Sequence, residues 1–322
     1  MPTALITGIN GQDGSYLAEF LLAKNYQVVG WVPDFPDINL DNIKHIQGEI
    51  QLVRGSLLDQ DGLDELMLVH QPDEIYHFAS PSSPSASWNK VVEVGEAAGL
   101  GVARLLEAVR KHVPAARFYQ SSSSELFGMP VDVPQDESTP FHPRNPYGIS
   151  KLYAHWMVTN YRQRYGLYAA AGILYNHESP RRGNQFVTRK ITREAARIKL
   201  GLANELALGN LEARRDWGYA GDYIEAIFAI LHQDEPEDFV IGTGTTHSVR
   251  EFCQAAFSYL GLDYQDYVRV DPAFFRPVET QQLVANPSKA NIKLGWQPRT
   301  TFPELVEMMV EEDLRKISAS AR

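Results

Sequence analysis

The chain has a single cysteine in 322 residues, Cys253, so it can form neither an internal disulfide nor a multi-cysteine metal centre. Cys253 sits in "VREFCQAAFSYL", a helical pattern in which it reads as core filling rather than as a nucleophile. No metal site is expected. Positive charge is also scarce: 30 lysines and arginines face 40 aspartates and glutamates, for a formal net charge of −10. That balance excludes broad electrostatic binding of nucleic acid, though it leaves room for local basic pockets. No run approaches the roughly 18–20 apolar residues that span a bilayer, and "MPTALITG" opens without a charged n-region or cleavage signal. A cytoplasmic protein with no membrane partner is expected. There is no internal repeat, and the serine run at 121–124 is short enough to be a strand-exit turn rather than a low-complexity segment.

The chain does have ordinary globular material, 44% hydrophobic and 22% charged residues, enough for one large or two modest domains. "TALITGINGQDGSYLAEFLLAKNYQVVGWV" gives an apolar strand, a glycine loop, an amphipathic helix and a second strand, the opening of a βαβ unit. Its glycines, Gly8, Gly11 and Gly14, are spaced G-x-x-G-x-x-G. Such a loop turns tightly, lets a pyrophosphate approach the backbone and delivers it to a helix N-terminus. A plain glycine turn has the same spacing, but the strand before and the helix after favour the dinucleotide reading. "EIQLVRGSLLD", "PDEIYHFAS", "GVARLLEAVRKH" and "ARFYQSSSS" continue the alternation, so an α/β fold with a Rossmann-type doubly wound parallel sheet is expected. Ligands bind such sheets beyond the carboxyl ends of the strands, where "FASPSS" and "YQSSSSE" fall. Asp34, in "WVPDFPD", stands where an acidic residue would accept from the adenosine ribose of NAD; a solvated loop aspartate is the competing reading.

"NPYGISKLYAHWMVTNYRQRYG" reads as a helix entered through Pro146, with Tyr147 and Lys151 on one face. A lysine beside a phenol stabilises phenolate and can lower its pKa from about 10 toward neutrality, which would make Tyr147 a usable acid or base. Taken alone, Y-x-x-x-K is also an ordinary helix surface.

At this point the sequence resembles the extended short-chain dehydrogenase/reductases, and among them the GDP-mannose 4,6-dehydratase family. The resemblance rests on "ALITGINGQDGSYLAEFLL", "QPDEIYHFAS", "RFYQSSSSELFG", "NPYGISKLYAHWMVTNYR", "GILYNHESPRRGNQFVTRKITR", "RRDWGYAGDY", "PEDFVIGTG", "FFRPVE" and "NPSKANIKLGWQP", in family order over most of the chain. It implies a dehydration of a nucleotide sugar with a recycled nicotinamide cofactor. Its catalytic set would be Ser123, at the family's threonine position, with Glu125, Tyr147 and Lys151. The cofactor would be held by Gly8, Asn10, Gly11, Gln12, Asp13, Gly14, Asp34, Ser56, Leu57, Phe78, Ala79 and Ser80, by Tyr147 and Lys151, and by His177 and Arg182. The substrate would meet Ser82, Ser123, Glu125, Asn176, Val187, Lys190, Arg215, Arg276 and Glu279. A homodimer or homotetramer is also implied.

The departures from the family cluster at the cofactor. Pro33 and Asp34 replace the paired arginines of relatives that prefer NADP; Ser56 replaces an aspartate, Pro81 a glutamine, Ser83 a histidine and Glu93 a tyrosine. NAD is therefore expected over NADP. The altered 81–93 loop leaves a GDP-heptose or another hexose open beside GDP-mannose. An epimerase or 4-keto reductase on the same fold, and a non-catalytic nucleotide-sugar binder, are the alternatives. The expected division is a cofactor domain over 1–172, rejoined by about 216–240, and a smaller discontinuous domain from about 173–215 and 241–322.

Overall fold

The computed structural model describes residues 1–275 and 282–320. The first part of the chain alternates as its apolar runs dictate: β1 (Thr3–Thr7), α1 (Gln12–Ala23), β2 (Gln27–Pro33), β3 (Gln51–Gly55), α2 (Gln60–His70) and β4 (Glu74–His77). A short α3 (Val91–Gly95) runs through a wide helical turn into α4 (Gly101–His112), followed by β5 (Arg117–Ser123), α5 (Pro146–Tyr165) and β6 (Ala169–Leu174). Then come β7 (Asn176–Glu178), α6 (Val187–Lys199), β8 (Leu206–Leu208), β9 (Arg214–Tyr219), α7 (Ala220–Leu231) and β10 (Phe239–Ile241). The chain closes with β11 (Thr246–Ser248), α8 (Val249–Tyr259), α9 (Tyr264–Tyr267), β12 (Val268–Val270), α10 (Ser288–Leu294) and α11 (Phe302–Ser320).

Seven parallel strands form the main sheet in the order β10-β6-β5-β4-β1-β2-β3. β4 and β6 are buried along their whole length, as parallel strands covered on both faces must be. One face is covered by α1 and α7, through Leu17 and Leu21 against Ile224 and Ile227; the other by α2, α4 and α5, through Met67, Leu105, Val109 and Val158. This is the expected doubly wound arrangement. Strand order reverses between β1 and β4, which opens a crevice at their carboxyl ends. Thr7 is in register with both Trp31 on β2 and His77 on β4, so Gly8 leaves the sheet at that crevice. Ser123 is in register with Leu174, so the turn after β5 and the chain after β6 emerge at one level.

A second core lies away from the sheet, where α6, α8 and α11 pack with β8, β9 and β12 around Ile191, Trp217, Phe252, Phe257 and Met309. Cys253 is buried there. Within it Arg189 forms a two-pronged pair with Asp313, Nη1 to Oδ2 at 2.9 Å and Nη2 to Oδ1 at 2.7 Å, which ties α6 to α11. β10, together with Ala290 of α10 and Trp296 just beyond it, packs into the first sheet instead, and the Trp296 indole N–H donates to the Asp222 carbonyl at 2.8 Å. Residues 239–241 and 288–296 thus lie on the sheet's side of the boundary expected near 240. Among the described residues no helix is long and apolar enough to cross a membrane.

Candidate functional site

The glycine loop is built for close approach. Gly8 has φ +73°, and a Cβ there would lie 2.9 Å from the Ala79 backbone nitrogen; a Cβ on Gly14 would lie 2.4 Å from the Gly8 carbonyl oxygen. Those distances draw β1, α1 and the Phe78–Ser80 turn into one cradle that any side chain would fill. Gly11 stands at the N-cap of α1 without a side-chain cap, so the first-turn N–H groups remain available to an anion. The cradle fits the pyrophosphate of a dinucleotide.

Gln12 and Asp13, which follow, reach across to the chain after β6. Gln12 Nε2 donates to Asp13 Oδ1 at 3.0 Å and to the His177 carbonyl at 3.1 Å, while Ser179 Oγ donates to Gln12 Oε1 at 2.8 Å. His177 Nε2 meets Asp13 Oδ2 at 3.0 Å and its Nδ1 meets the Tyr175 carbonyl at 2.7 Å. Both acceptors lack protons, so both ring nitrogens donate and His177 is an imidazolium. The electrostatics agree. Burial works against both charges, yet the His177 charge and hydrogen bond bring Asp13 down to about 2, and Asp13 in turn raises His177 above the ordinary histidine value. Arg181 adds a second tie, donating to Ser15 Oγ at 3.0 Å and Glu19 Oε1 at 2.6 Å while lying over the Tyr16 ring. Arg182 pairs with buried Glu178 at 3.2 Å and stacks on Phe186 at 3.6 Å, near enough for its charge to bear on Asp13 and Tyr147.

The second half of the site forms where the turn after β5 meets the first turn of α5. The two are pressed together: a Cβ on Gly148 would lie 2.7 Å from the Glu125 carbonyl oxygen. Asn145 caps α5, its Oδ1 accepting from Gly148 N at 2.8 Å, and Pro146 takes the first helical position. The helix ends at Gly166, with φ +68°. The other end of the Asn145 amide donates to Glu125 Oε2 at 2.7 Å. Ser123 Oγ accepts from the Glu125 N–H at 3.2 Å and places its own hydroxyl against the Tyr147 phenol. Lys151, one turn along, donates to the Ser121 carbonyl at 2.9 Å, with its ammonium 5.8 Å from the centre of the Tyr147 ring. The structure therefore brings Ser123, Glu125, Tyr147 and Lys151 together.

The expected drop of the Tyr147 phenol toward neutrality is not what this pocket produces. Burial dominates and pushes the phenol up to about 12, with Glu125 adding to the rise, against lowering by the Ser123 hydrogen bond and the Arg182 charge. Burial also brings the Lys151 ammonium down to about 8. Lys151 thus remains mainly protonated at neutral pH, and Ser123 is the largest influence lowering the phenol.

The remaining candidates are spread along the crevice and beyond it. Asp34 is exposed at the end of β2, its N–H donating to Gly55 O at 3.2 Å. Asn10 Nδ2 donates to Asn39 O at 3.0 Å, Ser56 Oγ accepts from Leu58 N at 3.1 Å, and Leu57 is buried against Gly101. Ala79 N donates to Thr7 Oγ1 at 3.3 Å, Phe78 packs on Tyr119 and Ser80 is half-buried, whereas Ser82 is exposed. Asn176 opens β7, which pairs with Trp217 of β9. Val187 begins α6; Lys190 Nζ donates to the Ala207 carbonyl at 2.7 Å and lies over Phe274, and Arg215 Nη1 donates to the Arg214 carbonyl at 2.6 Å. Arg276 and Glu279 lie outside the described residues. Sequence reasoning passed over Asn145 and Arg181. The residue before Pro146 at a helix start was a cap signal, but nothing in its spacing announced the contact to Glu125.

The sequence profile of the GDP-mannose 4,6 dehydratase family matches residues 5–309. The chain is 48% identical over 323 residues to GDP-mannose 4,6 dehydratase 1 of Arabidopsis thaliana, covering 97% of this chain and 89% of that one. In three dimensions it is similar to the UDP-glucose 4-epimerase of Thermotoga maritima with UDP-glucose, at TM-score 0.88 and 24% identity, covering 98% and 99% of the two chains. It is also similar to the UDP-glucose 4-epimerase of Thermus thermophilus in complex with NAD, at TM-score 0.85 and 26% identity over 97% and 98%.

Proposed function

The chain belongs to the GDP-mannose 4,6-dehydratase family, and on that premise we propose that it is a hydro-lyase converting GDP-mannose to GDP-4-keto-6-deoxymannose and water. The observation that carries the reading is the carboxylate of Glu125, held beside Tyr147 and Ser123 at the mouth of β5. A plain C4 epimerase or a 4-keto reductase has no proton to take from C5, so that carboxylate is without a task in either, and the family supports neither.

A nicotinamide cofactor, held by the glycine cradle with Tyr147 and Lys151 beside it, would accept hydride from C4 and return it to C6. The chain's own residues move the protons. Tyr147, supported by the Ser123 hydroxyl, takes the C4 hydroxyl proton as the ketone forms. The ketone acidifies C5, whose proton passes to Glu125. That proton leaves with the C6 hydroxide as water when the C6–O bond breaks. A proton returned to C5 from Tyr147 then balances the hydride gained at C6. Arg215 would meet the substrate's diphosphate, for which the arginine fork is suited, with Lys190 near its base and ribose and Arg182 toward the cofactor.

NAD is the cofactor this reading favours. Asp34 is exposed at the end of β2 behind Pro33, and Arg54 of β3 donates to the Phe35 carbonyl at 2.8 Å. The protein would act as a homodimer, formed through the apolar outer face of α5. The test is incubation with GDP-mannose and NAD or NADP, scored by mass. A product lighter by one water, with no net cofactor reduction and NAD the more effective, is expected. A product of unchanged mass, or one gaining two hydrogens, would overturn the lyase, and a preference for NADP would overturn the cofactor choice.

A further inference from the structure

We propose that Asn145 is a positioning residue for the removal of the C5 proton, aiming Glu125 from the N-cap of the helix that carries Tyr147. This inference rests on the dehydratase reading. It starts from a two-headed contact: Asn145 Oδ1 accepts from Gly148 N at 2.8 Å, and Asn145 Nδ2 donates to Glu125 Oε2 at 2.7 Å. The cap fixes which end of the amide is oxygen, so the nitrogen is committed to Glu125. Gly148 shows that the approach is built in, because a Cβ there would meet the Glu125 backbone oxygen at 2.7 Å.

The consequence is geometric. Glu125 sits in a three-residue turn, Ser124–Leu126, that cannot by itself fix a side chain with three rotatable bonds. Its N–H is tied to Ser123 Oγ at 3.2 Å and its Oε2 to Asn145, while Oε1 takes no protein hydrogen bond among the described residues. One oxygen is held and the other is left to take a proton. The donor that holds it is a neutral amide, which anchors the carboxylate without placing a competing cation next to it. Because the same amide caps α5, the C5 base and the C4 base are set by one side chain: Tyr147 is the second residue of the helix that Asn145 starts. A serine or threonine would cap this helix equally well but is a bond too short to span both groups.

That difference supplies the experiment. Asn145→Ser keeps a cap and removes the Glu125 donor; Asn145→Asp keeps a cap and sets an anionic oxygen against Glu125; Asn145→Ala removes both. Each full-length variant is given GDP-mannose in D2O, with deuterium at C5 and water release followed by mass, and its thermal unfolding is measured. Asn145→Ser is expected to slow C5 exchange and water release by about 10- to 100-fold, with KM within about twofold of wild type and unchanged unfolding. Asn145→Asp should be slower still. In a Glu125→Gln background Asn145→Ser should have no further effect on the residual rate, since two residues acting through one group are not additive. If Asn145→Ser and Asn145→Asp exchange C5 at the wild-type rate while Asn145→Ala only melts earlier, the residue is a helix cap and the inference is overturned. If the wild-type enzyme itself leaves C5 and C6 untouched, the dehydratase reading falls and this inference falls with it.

Discussion

Ser123 is the residue on which the proton chemistry turns, because it accepts from the Glu125 N–H and acts on the Tyr147 phenol, whose pKa its hydroxyl lowers. Burial holds the phenol near 12, and the Ser123 hydrogen bond is the largest influence acting to bring it down. Removing it must therefore raise the phenol further. A base acts only when deprotonated, so the rise of kcat/KM with pH should move to higher pH in Ser123→Ala, and the rate at neutral pH should fall about 10²-fold. Ser123→Thr restores the hydroxyl and should restore the profile. A Ser123→Ala enzyme whose pH–rate curve overlays that of wild type would remove this hydroxyl from the mechanism.

Elements meet in this site more than residues do. α1 and the chain after β6 are clasped by the Asp13–His177 pair, buried and charged on both sides. Asp13 is depressed below its unfolded value of 3.8, so its contribution is present above about pH 4 and lost as pH falls toward 2. His177 is raised above 6.5, so its contribution is complete below 6.5 and lost as pH rises through the raised value. The clasp is thus strongest between about pH 4 and 6.5. Asp13→Asn leaves a buried imidazole without its counter-ion, and should cost about 3 kcal/mol within that window, measured by urea unfolding of the cofactor-free protein. The difference from wild type should shrink above neutral pH and below pH 4. A difference that stays constant from pH 4 to 9 would show that the pair does not titrate as described.

The same clasp marks how far the sequence could be read. The glycine cradle was legible because its demands are local: a positive φ at Gly8 and a missing Cβ at Gly14 belong to one loop. Tyr147 and Lys151 were legible through helical spacing, and Glu125 because parallel strands present ligands at their carboxyl ends. What could not be read depends on which segments meet. Arg181 and Arg182 are adjacent in sequence, yet one is tied to Glu19 on α1 and the other to Glu178 on β7. Lys190 is drawn to the Ala207 carbonyl, and the Trp296 segment returns to the first sheet; neither leaves a local pattern. The direction of the Tyr147 shift was missed for the same reason. Spacing gives the lysine neighbour but not the burial that outweighs it.

At the scale of the whole molecule one face is left unfinished. α5 carries its catalytic side chains inward, while Ile149, Tyr153 and Trp156 point outward at 57%, 42% and 50% exposure. Their i, i+4, i+7 spacing is that of a single apolar stripe. Trp88, Val92 and Leu100, from the segment that packs beside α5, widen it, with Val92 at 73% exposure. Exposed apolar side chains gathered along one helix mark a candidate association surface. In a protein of net charge −10, an uncharged stripe is also the region where two copies repel least. A two-fold pairing of this stripe with itself would bury both copies at once, since isologous contacts use one surface twice. It would also stiffen α5, and with it the cap at Asn145 and the position of Tyr147. Replacing Tyr153 and Trp156 together by glutamate places like charges at the centre of such an interface. Each lost aromatic anchor is worth about 2 kcal/mol, so the two lost on even one copy amount to about 4 kcal/mol and the dimer dissociation constant should rise by roughly 10³-fold or more. Sedimentation equilibrium should then find monomers where wild type is dimeric, with kcat falling alongside. Wild type and the double variant sedimenting identically would place the interface elsewhere or show that the protein works alone.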